Sequence, residues 1–80
     1  MRLDKYLKVS RIIKRRTVAN EACDMGRVTL NGREAKAGTE VKIGDVIAIR
    51  FGERTARYEV VTLSEHVLKA DAVGMYRMLE

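Results

Sequence analysis

Apolar and basic positions interleave with a helical period at the start of the chain. Leu3, Tyr6, Leu7 and Ser10 fall on one stripe, while Arg2, Lys5 and Lys8 recur every three residues on another. Residues three and four apart share a helix face, so the pattern predicts a short helix from Arg2 to Val9 with a core face and a basic face. Ile12 and Ile13 supply apolar contacts inside an irregular, very basic connection. Thr17 reads as the N-cap of a second helix, because a threonine hydroxyl accepts a bond from an unpaired N–H of the first turn. Val18, Ala19, Ala22 and Cys23 form the apolar stripe of that helix, and Gly26 supplies the backbone freedom for its stop.

After Gly26 the period changes to two. Val28 and Leu30 alternate with Arg27 and Thr29, and Asn31-Gly32 is a pair favoured in two-residue hairpin turns. The return strand is expected from Arg33 to Ala37. Gly38 and Gly44-Asp45 punctuate the next stretch, Val46 to Phe51 reads as a strong strand, and Gly52-Glu53 turns the chain into a last long strand, Ala56 to Leu63. Asp71 to Glu80 reads as one short helix capped by Asp71, with Val73, Tyr76 and Leu79 facing inward. Two helices, a small bent antiparallel sheet and a short C-terminal helix make an α+β fold.

Eighty residues suit one domain with a thin core. A hydrophobic content of 46% is enough to fold, but a dry substrate cleft is hard to build at this size, which favours a binding module over an enzyme. The single cysteine excludes an internal disulfide, and no apolar run is long enough for a signal peptide or a membrane span. Both features fit a reducing cytoplasm and no membrane partner. The initial methionine suggests a complete small protein. Cys23 lies on an apolar stripe and reads as a buried small hydrophobe. One cysteine and one histidine, His66, are too few for a zinc site, and His66 reads as an exposed surface residue. No phosphate-cradling glycine loop exists, and Glu53 and Glu59 show no pairing across a cleft. No catalytic residue, metal or cofactor is expected.

Charge changes the picture more than composition does. Residues 1–16 hold seven bases, Arg2, Lys5, Lys8, Arg11, Lys14, Arg15 and Arg16, against the single acid Asp4, a net charge of +6. From Ala37 onward six bases face seven acids, a net charge of −1. A cationic half beside a near-neutral half is the footprint of a polyanion binder, in which Lys and Arg displace counterions from phosphates. Lys14, Arg15 and Arg16 stand directly before the second helix, whose N-terminal N–H groups already favour an anion. Arginine adds planar donor forks matched to phosphate oxygens. Arg2 and Lys5 border the same surface, and Arg27 extends it beyond the second helix. Asp4 has two readings: it supports the start of the first helix through the dipole, or it fixes Arg16 or a neighbouring base for RNA.

The string R-L-D-K at residues 2–5, R-R-T at 15–17, G-R-V at 26–28, N-G at 31–32 and G-D-V at 44–46 resembles, in that order, the RNA-binding domain of the ribosomal protein S4 type. The resemblance covers residues 1–63 and leaves 64–80 as a C-terminal extension. It implies two helices packed on a small bent sheet, with RNA held along the helices and the loop between them. The short length and the K-R-R-T-V-A-N-E-A-C-D-x-G-R-V string are most similar to the RqcP (YabO) family, relatives of the small bacterial heat-shock S4-domain protein. That resemblance implies a ribosome-quality-control factor, and a monomer is expected. Its expected partners are the large ribosomal subunit with its 23S rRNA, a peptidyl-tRNA left after stalling, and RqcH, which adds C-terminal alanine tails. The family's RNA contacts carry over onto Arg2, Lys5, Arg15 and Arg16, with Asp4 in the same opening motif; Lys8, Arg11, Lys14 and Arg27 complete the basic set. Two other readings stay open: an S4-type protein of ribosome assembly or another tRNA or rRNA task, and a basic module for an acidic protein.

Overall fold

A computed structural model describes residues 1–79. Two helices, α1 (Leu3–Val9) and α2 (Arg16–Asp24), precede the strands β1 (Val28–Leu30), β2 (Arg33–Glu34), β3 (Val46–Phe51) and β4 (Arg54–Val60). A four-residue helix, α3 (Lys69–Ala72), a 3-10 turn over Val73–Met75 and a strand, β5 (Tyr76–Leu79), complete the described residues. The strands form one antiparallel sheet in the order β2-β1-β3-β4-β5. This is the α+β architecture that the change of period from helical to two-residue spacing predicts.

The core lies between α1, α2 and the sheet. Leu3, Tyr6 and Leu7 meet Ala19 and Cys23 above Val28, Ile47, Ile49 and Val60, all buried. Alternate residues of β3 face inward, and the register that sets Ile47 opposite Leu30 and Ile49 opposite Val28 keeps one apolar face toward the helices. Asn31 and Gly32 both have positive φ, 54° and 83°, the backbone that a two-residue hairpin of the expected kind needs. Cys23 is fully buried, and burial pushes its thiol up to about 11, so it stays protonated and unreactive at neutral pH.

Several boundaries differ from the sequence pattern. The extended residue before α2 is Arg15 and the helix begins at Arg16, so Thr17 lies inside the first turn and no side chain caps it. A hydroxyl can cap only from the extended position ahead of the helix. Val18 is 46% exposed; Ala19 and Cys23, four apart, take the buried line, and Ala22 is half-buried. Pairing in β2 stops at Glu34, and Ala35 and Ala37 turn inward toward α1. Strand β4 starts at Arg54 because Gly52, at φ 62°, closes a tight turn. It ends at Val60, beyond which the N–H groups of Val61 and Thr62 both donate to the Met75 carbonyl.

The largest correction concerns the C-terminal segment. A short helix exists there, but it is α3, with Leu68 rather than Asp71 as the capping residue. That helix ends at Ala72, and the helix expected to continue from there is instead a 3-10 turn leading into a strand; Glu80 lies outside the described residues. Val73 is exposed, Tyr76 and Leu79 are half-buried, and Ala72 and Met75 are the residues that point inward. The outer edge of β4 offers a row of backbone groups, and pairing Val60 with Tyr76 and Tyr58 with Met78 satisfies them. Against that, the helix propensity of a segment broken by Gly74 is weak. Tyr58 and Tyr76 meet edge to face at 5.3 Å across the new pair. Among the described residues no helix is long and apolar enough to cross a membrane.

Candidate nucleic-acid interface

The two long helices begin in opposite ways. The N-terminus of α1 is closed by the chain between Ala37 and Val41. The Leu3 N–H donates to the Thr39 carbonyl at 2.8 Å, the Asp4 N–H to the Ala37 carbonyl at 3.1 Å, and the Lys5 N–H to Oδ1 of Asp4 at 2.8 Å. The N-terminus of α2 has no side-chain cap. Its first N–H groups have no acceptor within the helix, and they emerge beside the exposed residues Arg15 and Arg16. One helix end is plugged by the fold, and the other is open to an anion.

Asp4 joins the two helices. Its carboxylate is buried, 2% exposed, yet it accepts bonds from Arg2 Nε at 3.1 Å, Arg16 Nε at 3.2 Å and Asn20 Nδ2 at 3.4 Å. Oδ1 serves the first turn of α1, and the same carboxylate pairs with two arginines. Arg2 Nη2 also donates to Oδ2 at 3.4 Å, and the Arg2 and Arg16 side chains remain 55% and 46% exposed. Burial alone would raise the pKa of Asp4, but the bonds from Arg2, Arg16 and Asn20 outweigh it and hold the carboxyl below the ordinary 3.8. The folded pKa is depressed, so the stabilisation is present above the unfolded value and is lost as pH falls through the folded one. Acid should therefore destabilise the protein below about pH 4, and Asp4→Asn should flatten that dependence in melting curves taken between about pH 2 and 5.

The basic residues divide into groups. Arg2 and Arg16 line two adjoining depressions. One, about 540 Å³, is floored by Asp4 and Asn20 and bordered by Thr17 and Glu21. The other, about 480 Å³, adds Lys5, Gly38, Glu40 and Glu65. Lys8, Arg11 and Lys14 border a third, about 350 Å³, against His66, Val67 and Leu68. Arg11 reaches it from a left-handed backbone at φ 62° in the turn between the helices. Arg15 is exposed and lines none of the three. Arg27 lies beyond the far end of α2, a helix of nine residues or about 13 Å, and is not gathered with Arg15 and Arg16. His66 is exposed as expected, but it stands at the rim of a basic depression.

Two polar residues of this surface did not stand out in the sequence. Asn20 lies four positions after Arg16, a spacing that puts it on the same helix face, so its place beside Arg16 was open to inference. Glu65 accepts a bond from Lys5 Nζ at 3.1 Å across sixty positions of chain, and no local pattern announces such a contact.

Known proteins share this sequence and this fold. The S4 domain family model matches residues 1–47. The RQC P-site tRNA stabilizing factor of Halalkalibacterium halodurans is 54% identical over 78 residues, covering 98% of this chain and 89% of that one. The protein of the same name from Streptococcus pneumoniae is 52% identical over 79 residues, covering 99% and 90%. Heat Shock Protein 15 of Vibrio cholerae, solved as a trimer, superposes with a TM-score of 0.89 at 31% identity, covering 99% of this chain and 81% of that one. An S4-type match over more than half the chain, together with near-full-length identity above 50%, establishes kinship: the chain belongs to the S4-domain family of RQC P-site tRNA stabilizing factors.

Proposed function

We propose that this protein binds large ribosomal subunits that still carry a peptidyl-tRNA after stalling, touches both 23S rRNA and the tRNA, and steadies the tRNA while RqcH adds C-terminal alanine tails. It acts by positioning and performs no chemistry, in the cytoplasm; the trimeric Heat Shock Protein 15 speaks against the expected monomer. The observation that carries the reading is the pair Arg2 and Arg16, fixed on one buried carboxylate beside the uncapped start of α2. Two oriented donor forks and a row of unpaired N–H groups together suit a phosphate backbone. Arg15, Lys8, Arg11 and Lys14 extend that surface along the helices and the turn between them, and Arg27 lies at its margin. The name that the relatives carry, P-site tRNA stabilizing factor, supports a role in holding tRNA.

The test isolates large subunits from stalled cells and probes them for this protein, for peptidyl-tRNA and for alanine tails together. Loss of the protein should leave ordinary translation nearly normal and sharply reduce tailing. Arg16→Ala should behave like the loss although the protein accumulates and folds, because Arg2 and Asn20 still satisfy Asp4. In vitro, log affinity for RNA should fall less steeply with log salt in Arg16→Ala, by about 0.7–0.9 for one contact removed. Recovery mainly on vacant subunits, with tailing unaffected by its loss, would leave only general RNA binding standing.

A further inference from the structure

Glu65 occupies a singular place on the basic face. It touches Lys5 across the surface and borders two of the three basic depressions, the one shared by Arg2, Lys5 and Arg16 and the one lined by Lys8, Arg11 and Lys14. Its side chain is 67% exposed, and the bond from Lys5 draws its carboxyl below the usual glutamate range. Asp4 is the opposite case, buried and shared by two arginines whose side chains stay about half exposed. Glu65 instead lays its Oε1 against the ammonium of Lys5, where a phosphate oxygen would make the same charge-assisted bond. An exposed pair of this kind is weak and screened by salt, so a nucleic-acid phosphate can take its place while the carboxylate turns to solvent.

We propose that Glu65 is an intramolecular competitor for RNA phosphate at Lys5, so that Lys5 becomes an RNA contact only when RNA displaces the carboxylate. The inference rests on the reading that this face binds RNA. It gives the residues after β4 a defined part in binding: they temper the affinity of a face that would otherwise hold any polyanion, and they refill the Lys5 position as RNA leaves.

The experiment compares wild type, Glu65→Gln, Lys5→Ala and the double variant in titrations with deacylated tRNA between about 50 and 200 mM salt. Melting curves confirm that each variant folds, as substitutions at these surface positions should allow. Glu65→Gln should tighten binding about threefold or more, as Coulomb's law gives for one carboxylate removed roughly 6 Å from a phosphate in a high dielectric. It should also steepen the dependence of log affinity on log salt by about 0.7–0.9, since Lys5 then releases a counterion of its own. In the Lys5→Ala background the gain should shrink clearly. No gain from Glu65→Gln, or an equal gain in both backgrounds, would overturn the proposal while leaving RNA binding intact. A wild type without salt-dependent tRNA binding would overturn the underlying reading as well.

Discussion

Leu7→Ala is expected to lower the unfolding free energy by about 2–5 kcal/mol. Leu7 is fully buried at the centre of α1, and its carbonyl anchors the turn that follows. The Ile13 N–H donates to it at 3.1 Å and the Ser10 hydroxyl at 3.3 Å. Truncation removes three carbons from a site walled by rigid neighbours, so the loss combines the transfer of those atoms with the cavity left behind. A domain of this size has a total stability of only about 4–12 kcal/mol at ~0.05–0.15 kcal/mol per residue, so a large share disappears with one side chain. Denaturant titration measures it directly. A variant that melts with the wild type would show that the helical phase of α1 is wrong.

Asp4→Asn should weaken RNA binding, and the sign of that effect runs against net charge. Removing a carboxylate makes the protein more cationic, which by itself favours RNA by about 0.7 kcal/mol for a phosphate roughly 6 Å away in a high dielectric. The same change turns one of the two acceptor oxygens into an amide donor and strips the charge from the other, loosening the bonds that fix the Nε atoms of Arg2 and Arg16. Ordering each long side chain at the moment of binding costs about 0.5–1.5 kcal/mol. Two such costs exceed the Coulomb gain, and the net expectation is a loss of about 1 kcal/mol, roughly fivefold in affinity. Titration with tRNA beside a melting curve separates this from unfolding. Tighter binding in Asp4→Asn would show that the buried carboxylate acts on RNA only as a repelling charge.

Much of the fold was legible because its local signals agree with one another. The stripe of Leu3, Tyr6 and Leu7, the alternation in Val46–Phe51 and the Asn31-Gly32 turn each specify one local geometry, and the tertiary structure accepts all three. The tail was misread because its structure is decided elsewhere: Tyr76–Leu79 is a strand on account of the free edge of β4, not of its own pattern. The basic residues could be named in advance, since charge is written in composition. Their arrangement could not. That Asp4 would be buried and shared by Arg2 and Arg16, or that Glu65 would reach Lys5, depends on contacts between segments far apart in the chain. Thr17 failed as a cap for a smaller reason, a boundary displaced by two positions.

The hydroxyl of Tyr6 donates to the Met75 carbonyl at 2.7 Å, a buried bond between the first helix and the turn that launches β5. That same carbonyl receives the N–H groups of Val61 and Thr62 as the chain leaves β4. Three distant stretches therefore converge on one oxygen, and β5 cannot peel from the sheet without disturbing the layer that carries the basic face. The two ends of the polypeptide belong to one cooperative unit, in which slow amide exchange at either end reports on the same opening event. Shortening the chain before Met75 would strip a buried phenol of its acceptor and bare the outer backbone of β4, so fraying at the C-terminus would be felt as looseness in the helix that carries Asp4.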